Sequence, residues 1–308
     1  MIHTLTLNPS LDMRMRYLSP RLGELNRAES VLLEPSGKGL NVARALHAQG
    51  HLVRAVLPLG GHFGRIIAES LTGFAASVIP IAGQTRCNVK VTDVQSGAVS
   101  EFNAPGPRLS AEEWAEVQAV LLEPVRPGDW AVLSGSLPPG LGHDTYALLA
   151  TRLKARGALV CVDAEGEQLR QAIAAKPFLV KPNRKELEGL MGRELSSLDQ
   201  LVSAARAIQQ VGAEHVAVSL GGEGALYLLG DEVVRAAAPE IQVYQTMGCG
   251  DALMAGTVAG LIHGLPTLEV ARQGVAWGTA RALVRHTEFP SPQETGEVLG
   301  RVEVRLLE

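Results

Sequence analysis

Nowhere in the 308 residues does an apolar run reach the roughly eighteen residues a membrane-spanning helix needs. The opening Met1-Ile2-His3-Thr4-Leu5-Thr6-Leu7 also lacks the basic start and long apolar stretch of an export signal. Neither membrane insertion nor export is expected, and the cytoplasm is the expected location. Cysteine is scarce: Cys87, Cys161 and Cys249 are odd in number, far apart and without a C-x-x-C pair, so neither a disulfide framework nor a thiolate zinc site is indicated. With no block of about five or six basic residues, a net charge of -4 and a pI near 6.1, nucleic acid is not an expected partner and a small molecule is. Two nucleotide signatures are missing as well. Asn8-Pro9-Ser10-Leu11-Asp12 follows the first strand-like run where G-x-G-x-x-G would stand, and G-x-x-x-x-G-K-[ST] occurs nowhere. This disfavours a dinucleotide-dependent oxidoreductase and means that any pyrophosphate is held another way. There is no internal repeat, low-complexity tract or long linker.

What is present is a globular composition, 46% hydrophobic and 19% charged, enough for one large domain. Short runs rich in Val, Ile and Leu recur at 2–7, 52–57, 130–133, 159–162, 178–180 and 215–220, with helix-length segments between them. That alternation predicts strands of a mostly parallel sheet buried on both faces, an α/β protein. Ser110 with Glu113 and Ser197 with Gln200 have capping-box form, and Gly50 and Gly212 stand where helix C-caps are expected. Met13–Tyr17 and Cys87–Asp93 instead alternate apolar with polar residues, the mark of half-exposed strands. Their expected partners are 28–33 and 98–103. The pattern predicts a small sheet made from insertions at about 13–34 and 86–104 of a single 1–308 unit, with one apolar face that covers the active site, a second subunit or both.

Thr246-Met247-Gly248-Cys249-Gly250-Asp251 stands before an apolar-periodic segment, 252–265. If that segment is a helix, its first N–H groups form an anion site, with Asp251 facing the anion. A carboxylate beside bound phosphate is repelled, so it is expected there only if it does chemistry, such as taking a proton from an attacking hydroxyl. A glycine turn with Asp251 as the cap reads the same residues structurally. Pro35-Ser36-Gly37-Lys38-Gly39-Leu40-Asn41 opens another helical stretch, 42–49. Its glycines permit close backbone approach, Lys38 offers a point charge and Asn41 can bridge hydroxyls; the alternative is a plain turn with a solvated lysine. Period two puts Arg86, Asn88 and Lys90 on one strand face, either as a phosphate grip or as ordinary edge-strand charges. Asn183 and Glu186, after Lys181-Pro182, share a helix face toward hydrated Mg²⁺ and nucleotide phosphates, or form a capping box, or both. Ser219-Leu220-Gly221-Gly222-Glu223-Gly224 could lie beside an adenine and ribose or be a glycine-rich loop. Ser136, at the carboxyl end of a strand, could touch substrate. The cysteines read as packing residues, Cys249 contributing its backbone N–H, and no metal is assigned to the histidines.

In this order, and across nearly the whole chain, these elements resemble the PfkB (ribokinase-like) family of sugar kinases. G-x-G-D alone is weak, but it follows an early G-K-G-x-N-V-A-R, then S-G-S-L-P, K-P-N-x-x-E-L and S-L-G-G-x-G-A-L. T-L-N-P-S-L-D, T-R-x-N-V-K and E-F-N-A-P-G-P look most like the 1-phosphofructokinase branch, with tagatose-6-phosphate kinases nearest to it. The resemblance implies a three-layer α/β/α sandwich with a small β-sheet lid, acting on a sugar phosphate with ATP and Mg²⁺. It implies Asp251 as catalytic base and Gly248, Cys249 and Gly250 as the anion hole. Lys181, Asn183 and Glu186 would lie on the nucleotide and Mg²⁺ side, Glu186 reaching the metal through water, with Ser219, Gly221 and Gly224 bordering ATP. Asp12, Gly37, Lys38, Gly39, Asn41 and Ser136 would meet the sugar, and Arg86, with Asn88 and Lys90, its existing phosphate. Some members bind a monovalent cation near the anion hole, a place left open here. A homodimer through the lid sheet is a further expectation. Tagatose 6-phosphate and fructose 6-phosphate are the alternative substrates, and a non-catalytic nucleotide-binding regulator the alternative of another class. The chain departs from the family pattern at Ser36, at Met247, at Cys249 and at Asp163-Ala164-Glu165-Gly166.

Overall fold

The computed structural model describes residues 1–284 and 288–307. Residues 285–287 and 308, part of the expected 1–308 unit, lie outside the described residues. The large sheet runs in space as Glu303–Leu307, Glu232–Ala237, Ala225–Leu229, His215–Ser219, Leu179–Val180, Leu159–Asp163, Trp130–Ser134, Ile2–Leu5, Val53–Leu59 and Ala75–Pro80. From His215–Ser219 onward every pairing is parallel, and the three strands before it form an antiparallel edge. All the apolar runs expected as strands fall in the parallel part. Their near-continuous burial has a simple cause, since helices cover both faces. Val132, Cys161 and Leu179 pack with Leu40, Met254 and Trp277 on one side, while Ala131, Leu133 and Val162 meet Tyr146, Leu149 and Leu201 on the other. Each fully buried Leu or Val contributes roughly 1.5–3 kcal/mol.

Parallel strands end together, which sets where the site lies. Ser134 is in register with Asp163, the Lys181 N–H donates to the Val162 carbonyl at 3.0 Å, and Asn183 bridges to Ser219. Residues read from separate motifs thus meet at one carboxyl edge, where open α/β sheets bind ligands. Gly39 is required by close approach: a Cβ there would lie 2.3 Å from the Leu5 carbonyl oxygen, so the helix Lys38–Ala48 can sit directly on the first strand.

The second sheet has the order Ser30–Ser36, Ser10–Tyr17, Arg86–Asp93, Val99–Phe102. Its outer pairs are antiparallel and its central pair is parallel. Register sorts its side chains by face. Met13 lies opposite Leu33 and Val89, Met15 opposite Val31 and Val91, and Val89 opposite Phe102, giving one apolar face. On the other face Asp12 lies between Glu34 and Asn88, Ser10 opposite Arg86, and Lys90 between Arg14 and Glu101. Polar residues of that second face line a cavity that also holds Gly248 and Asp251, so the apolar face points away from it. Val31, Leu33 and Phe102 are exposed there.

Candidate active site

The helix after the glycines runs Cys249–Ile262, starting three residues before the apolar pattern does. Gly248 makes this possible: it caps the helix with a left-handed backbone, φ 75°, and without a side-chain bond. Asp251 therefore sits in the first turn and is not the cap. The first N–H groups have no partner within the helix and form the positive end of its dipole.

Two cavities meet at this helix end. One, of about 500 Å³, is lined by Gly248 and Asp251 together with Asp12, Gly37, Lys38, Asn41, Arg86, Asn88, Lys90 and Ser136. The other, of about 320 Å³, is lined by Cys249, Gly250, Asn183, Ser219, Gly221 and Gly224, closed by apolar Ile241, Val243, Leu253 and Ala282. Thr246 borders both. The expected sugar residues thus share one space and most of the expected nucleotide residues the other, with 248–251 between them. Gly39, Lys181 and Glu186 line neither. Gly39 is a packing residue, and Lys181 stands behind the anion loop, its Nζ 3.7 Å from where a Cβ on Gly250 would be.

Asp251 is only 7% exposed, and its Oδ2 accepts a 2.7 Å hydrogen bond from Asn41 Nδ2. Burial, then the nearby Asp163 charge, push its carboxyl up to about 6; Lys38, the Asn41 bond and Lys181 pull the other way. Asp163, 1% exposed, joins the two halves of the site: Oδ1 meets Lys38 Nζ at 3.0 Å and Oδ2 meets Lys181 Nζ at 3.1 Å. Burial alone would raise its pKa, but the two ammonium groups outweigh burial and hold it below the ordinary value. The Asp163 charge in turn raises the pKa of Lys38, which stays cationic.

The lid cations are already partnered to different degrees. Lys90 Nζ lies 2.9 Å from Asp12 Oδ2 and donates to Met247 Sδ at 2.8 Å. Asn88 Nδ2 donates to Asp12 Oδ1 at 3.1 Å and to Ser10 Oγ at 3.0 Å. Among the described residues Arg86 has no carboxylate within ion-pair distance, Asp12 acting on it only from further off. It donates to the carbonyls of Ala104 (3.0 Å) and Asn8 (2.8 Å), with Ser136 Oγ at 3.5 Å, and its buried Nε has no hydrogen-bond partner among the described residues. A half-buried guanidinium left in this state favours an anion in the cavity. Asp12 makes the lid end of the cavity less cationic than the two basic side chains on one strand face implied.

Asn183 and Glu186 form the capping box: Asn183 Oδ1 accepts from the Glu186 N–H at 2.9 Å, and Glu186 Oε2 accepts from the Asn183 N–H at 2.8 Å. Glu186 Oε1 faces Lys38 Nζ at 3.8 Å. Among the described residues no group of three or more His, Cys, Asp or Glu could hold a metal ion. The donor set fits a hydrated Mg²⁺ reached through water by Glu186 and held chiefly by substrate phosphates, as that ion usually is, but not a cage of protein ligands. His47 and His51 have H-x-x-x-H spacing yet make no pair, because the helix ends at Ala48, His47 lies beside Phe74 and His51 stacks on His263.

Sequence reasoning missed Asp163 as the bridge between lysines, Glu34 and Arg281 in the larger cavity, and Thr279 and Ala282 in the smaller. Asp163 and Glu34 stood beside motifs, but what they pair with lies far along the chain, 247 positions for Glu34 and Arg281, and Thr279 and Ala282 reach their cavity by helix packing that leaves no local pattern.

The raised pKa of Asp251 has a stability consequence. The folded-state value lies above the unfolded one, so ionisation above about pH 6 opposes folding. Asp251→Asn should therefore stabilise the protein at pH 8, by on the order of 2–3 kcal/mol for a two-unit shift. That gain should shrink as pH falls toward 4. Urea denaturation at both pH values checks this, and a variant less stable than the parent at pH 8 would contradict it.

A family model described as pfkB family carbohydrate kinase matches residues 5–294. The chain is 37% identical over 311 residues to a 1-phosphofructokinase of Bacillus subtilis (strain 168), covering 100% of both proteins. It is 34% identical to the ATP-dependent 6-phosphofructokinase isozyme 2 of Escherichia coli (strain K12), over 96% of this chain and 97% of that one. Among solved structures, phosphofructokinase-2 from Escherichia coli in complex with potassium superposes with a TM-score of 0.91 at 33% identity, covering 97% of this chain and 98% of that one. Among the described residues, no helix is long and apolar enough to cross a membrane.

Proposed function

Because the chain belongs to the pfkB family of carbohydrate kinases, it is a phosphotransferase acting on a sugar hydroxyl, and we propose that it phosphorylates fructose 1-phosphate at its 6-hydroxyl, using ATP, to give fructose 1,6-bisphosphate. The observation that carries the reading is a buried carboxylate at a helix N-terminus between two cavities, one polar and lined by charges of both signs, the other glycine-rich and apolar.

In this mechanism the sugar phosphate occupies the larger cavity under the lid, its existing phosphate against Arg86 and Ser136 and its hydroxyls against Asp12 and Asn41. The adenine end of ATP lies in the smaller cavity, beside Ser219, Gly221 and Gly224, with its phosphates directed toward Gly248, Cys249 and Gly250. Asp251 takes the proton as the 6-oxygen attacks the γ-phosphorus in line, and the displaced bond goes to ADP. N–H groups of the first turn, with roughly half a positive charge at the helix end, stabilise the equatorial oxygens. Lys38 and Lys181, fixed by Asp163, add positive charge on either side. Mg²⁺ on the phosphates, with Glu186 at its water shell, would neutralise charge on the leaving group. A monovalent cation near the anion loop belongs to the same proposal, since the Escherichia coli relative was solved with potassium.

The chain would act as one unit spanning 1–308, its lid strands inserted at about 13–34 and 86–104. It would work in the cytoplasm as a homodimer, because Val31, Leu33 and Phe102 expose an apolar face that monomers seldom leave bare. A panel of fructose 1-phosphate, fructose 6-phosphate, tagatose 6-phosphate and free sugars, followed by ADP release and ranked by kcat/KM, tests the substrate assignment. Fructose 1-phosphate should rank first. Tagatose 6-phosphate or fructose 6-phosphate in first place would move the substrate to that runner-up, and no ADP release with any of them would favour a nucleotide-binding regulator.

A further inference from the structure

One buried cation in the larger cavity has no place in the mechanism above. Arg281 lies in the last turn of the helix Thr267–Leu283 and is 3% exposed. Its helix packs closely on the anion-loop helix: a Cβ on Gly278 would meet the Cys249 carbonyl oxygen at 3.1 Å and Leu253 Cβ at 3.2 Å. One turn further on, Arg281 Nε comes within 3.3 Å of where a Cβ on Gly248 would stand, so the side chain lies against the cap of the catalytic helix. From there the guanidinium reaches across to the lid. Nη2 is 3.8 Å from Glu34 Oε1, Nη1 donates to the Glu288 carbonyl at 3.1 Å, and the group lies over the Phe289 ring at 4.7 Å. Glu34 belongs to the lid strand Ser30–Ser36, opposite Asp12 in register, and its other oxygen accepts from Arg14 at 3.1 Å, also on the lid.

Burying a guanidinium is unfavourable unless a compensating charge is close. Among the described residues its one ion pair is with a lid carboxylate, Glu34, so the body cation is better compensated when the lid is down. We propose that Arg281 is a further positioning residue for phosphoryl transfer, tying the lid strand to the N-terminus of the catalytic helix through Glu34 and Gly248. Seating of the lid over the sugar and setting of the anion loop then become one event. The transfer role rests on the kinase reading; the tie between lid and helix does not.

The variants are Arg281→Met, Arg281→Lys, Glu34→Gln and the double variant Glu34→Gln with Arg281→Met. Methionine keeps an unbranched chain in the cavity and leaves Glu34 its Arg14 partner, so the single variant is expected to fold, with circular dichroism as the check. For Arg281→Met, kcat should fall ~10-fold or more while ATP affinity changes less than ~3-fold. Lysine should recover part of the loss, and the double variant should be no worse than Arg281→Met within ~2-fold, because both changes cut one link. Amide hydrogen exchange over 30–36, which needs no turnover, should quicken in Arg281→Met and in Glu34→Gln. Losses that multiply in the double variant, or a folded Arg281→Met with kcat and lid exchange like the parent, would overturn the proposal. Should the parent transfer no phosphoryl group to any ketose phosphate, the kinase reading fails by itself and the exchange arm still decides whether the tie exists.

Discussion

Asp251→Asn should yield a folded protein that binds ATP but turns over roughly 10² to 10⁴ times more slowly, the usual contribution of a positioned base. Asparagine keeps the shape, and its side-chain oxygen can still accept from Asn41, so the cavity wall is preserved. What disappears is a proton acceptor whose pKa, about 6, suits work near neutrality. The parent should accordingly lose kcat/KM as pH falls through about 6, and the residual activity of the variant should show no such limb. Steady-state kinetics from pH 5 to 8 (a range set by that value), with ATP binding by calorimetry, separates this from misfolding. Near-parental turnover in the variant would remove Asp251 from the chemistry.

Arg86→Gln is expected to act on the sugar phosphate alone. Unlike Lys90, Arg86 has no carboxylate within ion-pair distance among the described residues, and its buried Nε has no hydrogen-bond partner among them. A charge-assisted hydrogen bond contributes about 1.5–3 kcal/mol, so losing two of them should lower kcat/KM for fructose 1-phosphate by about 10²-fold or more. The KM for ATP, bound in the other cavity, should hardly move. Lys90→Met should cost less, because Lys90 is already committed to Asp12 at 2.9 Å. An Arg86 variant that loses ATP affinity as much as sugar-phosphate affinity would show that this residue supports the fold rather than the grip.

How far the sequence could be read follows from where each interaction comes from. Strands such as Trp130–Ser134 and Leu159–Asp163 were legible because burial on both faces demands unbroken apolar runs, and the lid strands because one wet face demands alternation. The antiparallel edge Glu232–Ala237 and Glu303–Leu307 was not, since its mixed polar and apolar patterns resemble surface turns as much as strands. The helix start at Cys249 was placed at 252, because apolar periodicity begins only where the helix is packed, whereas its first turn faces the cavities. In the site, residues that use local backbone geometry were readable: the glycine turn before the helix Cys249–Ile262, though its cap is Gly248 and not Asp251, the Asn183–Glu186 box, and the alternation of Arg86, Asn88 and Lys90. Pairings were not. Asp163 with Lys38 is separated by 125 positions and Asn41 with Asp251 by 210, so charges that looked free in the sequence proved to be partly matched in space. Lys38 and Lys90 are committed to Asp163 and Asp12, which leaves Arg86 as the cation of that set that best suits a ligand phosphate.

A crystal structure of the protein with fructose 1-phosphate and a non-hydrolysable ATP analogue tests the central claim most directly. The account predicts the 6-hydroxyl within hydrogen-bonding distance of the Asp251 carboxylate and in line with the γ-phosphorus, with the γ-phosphate oxygens on the first N–H groups of the helix Cys249–Ile262. A sugar phosphate seated elsewhere, or bound with its 1-phosphate toward Asp251 and its 6-hydroxyl toward Arg86, would contradict it.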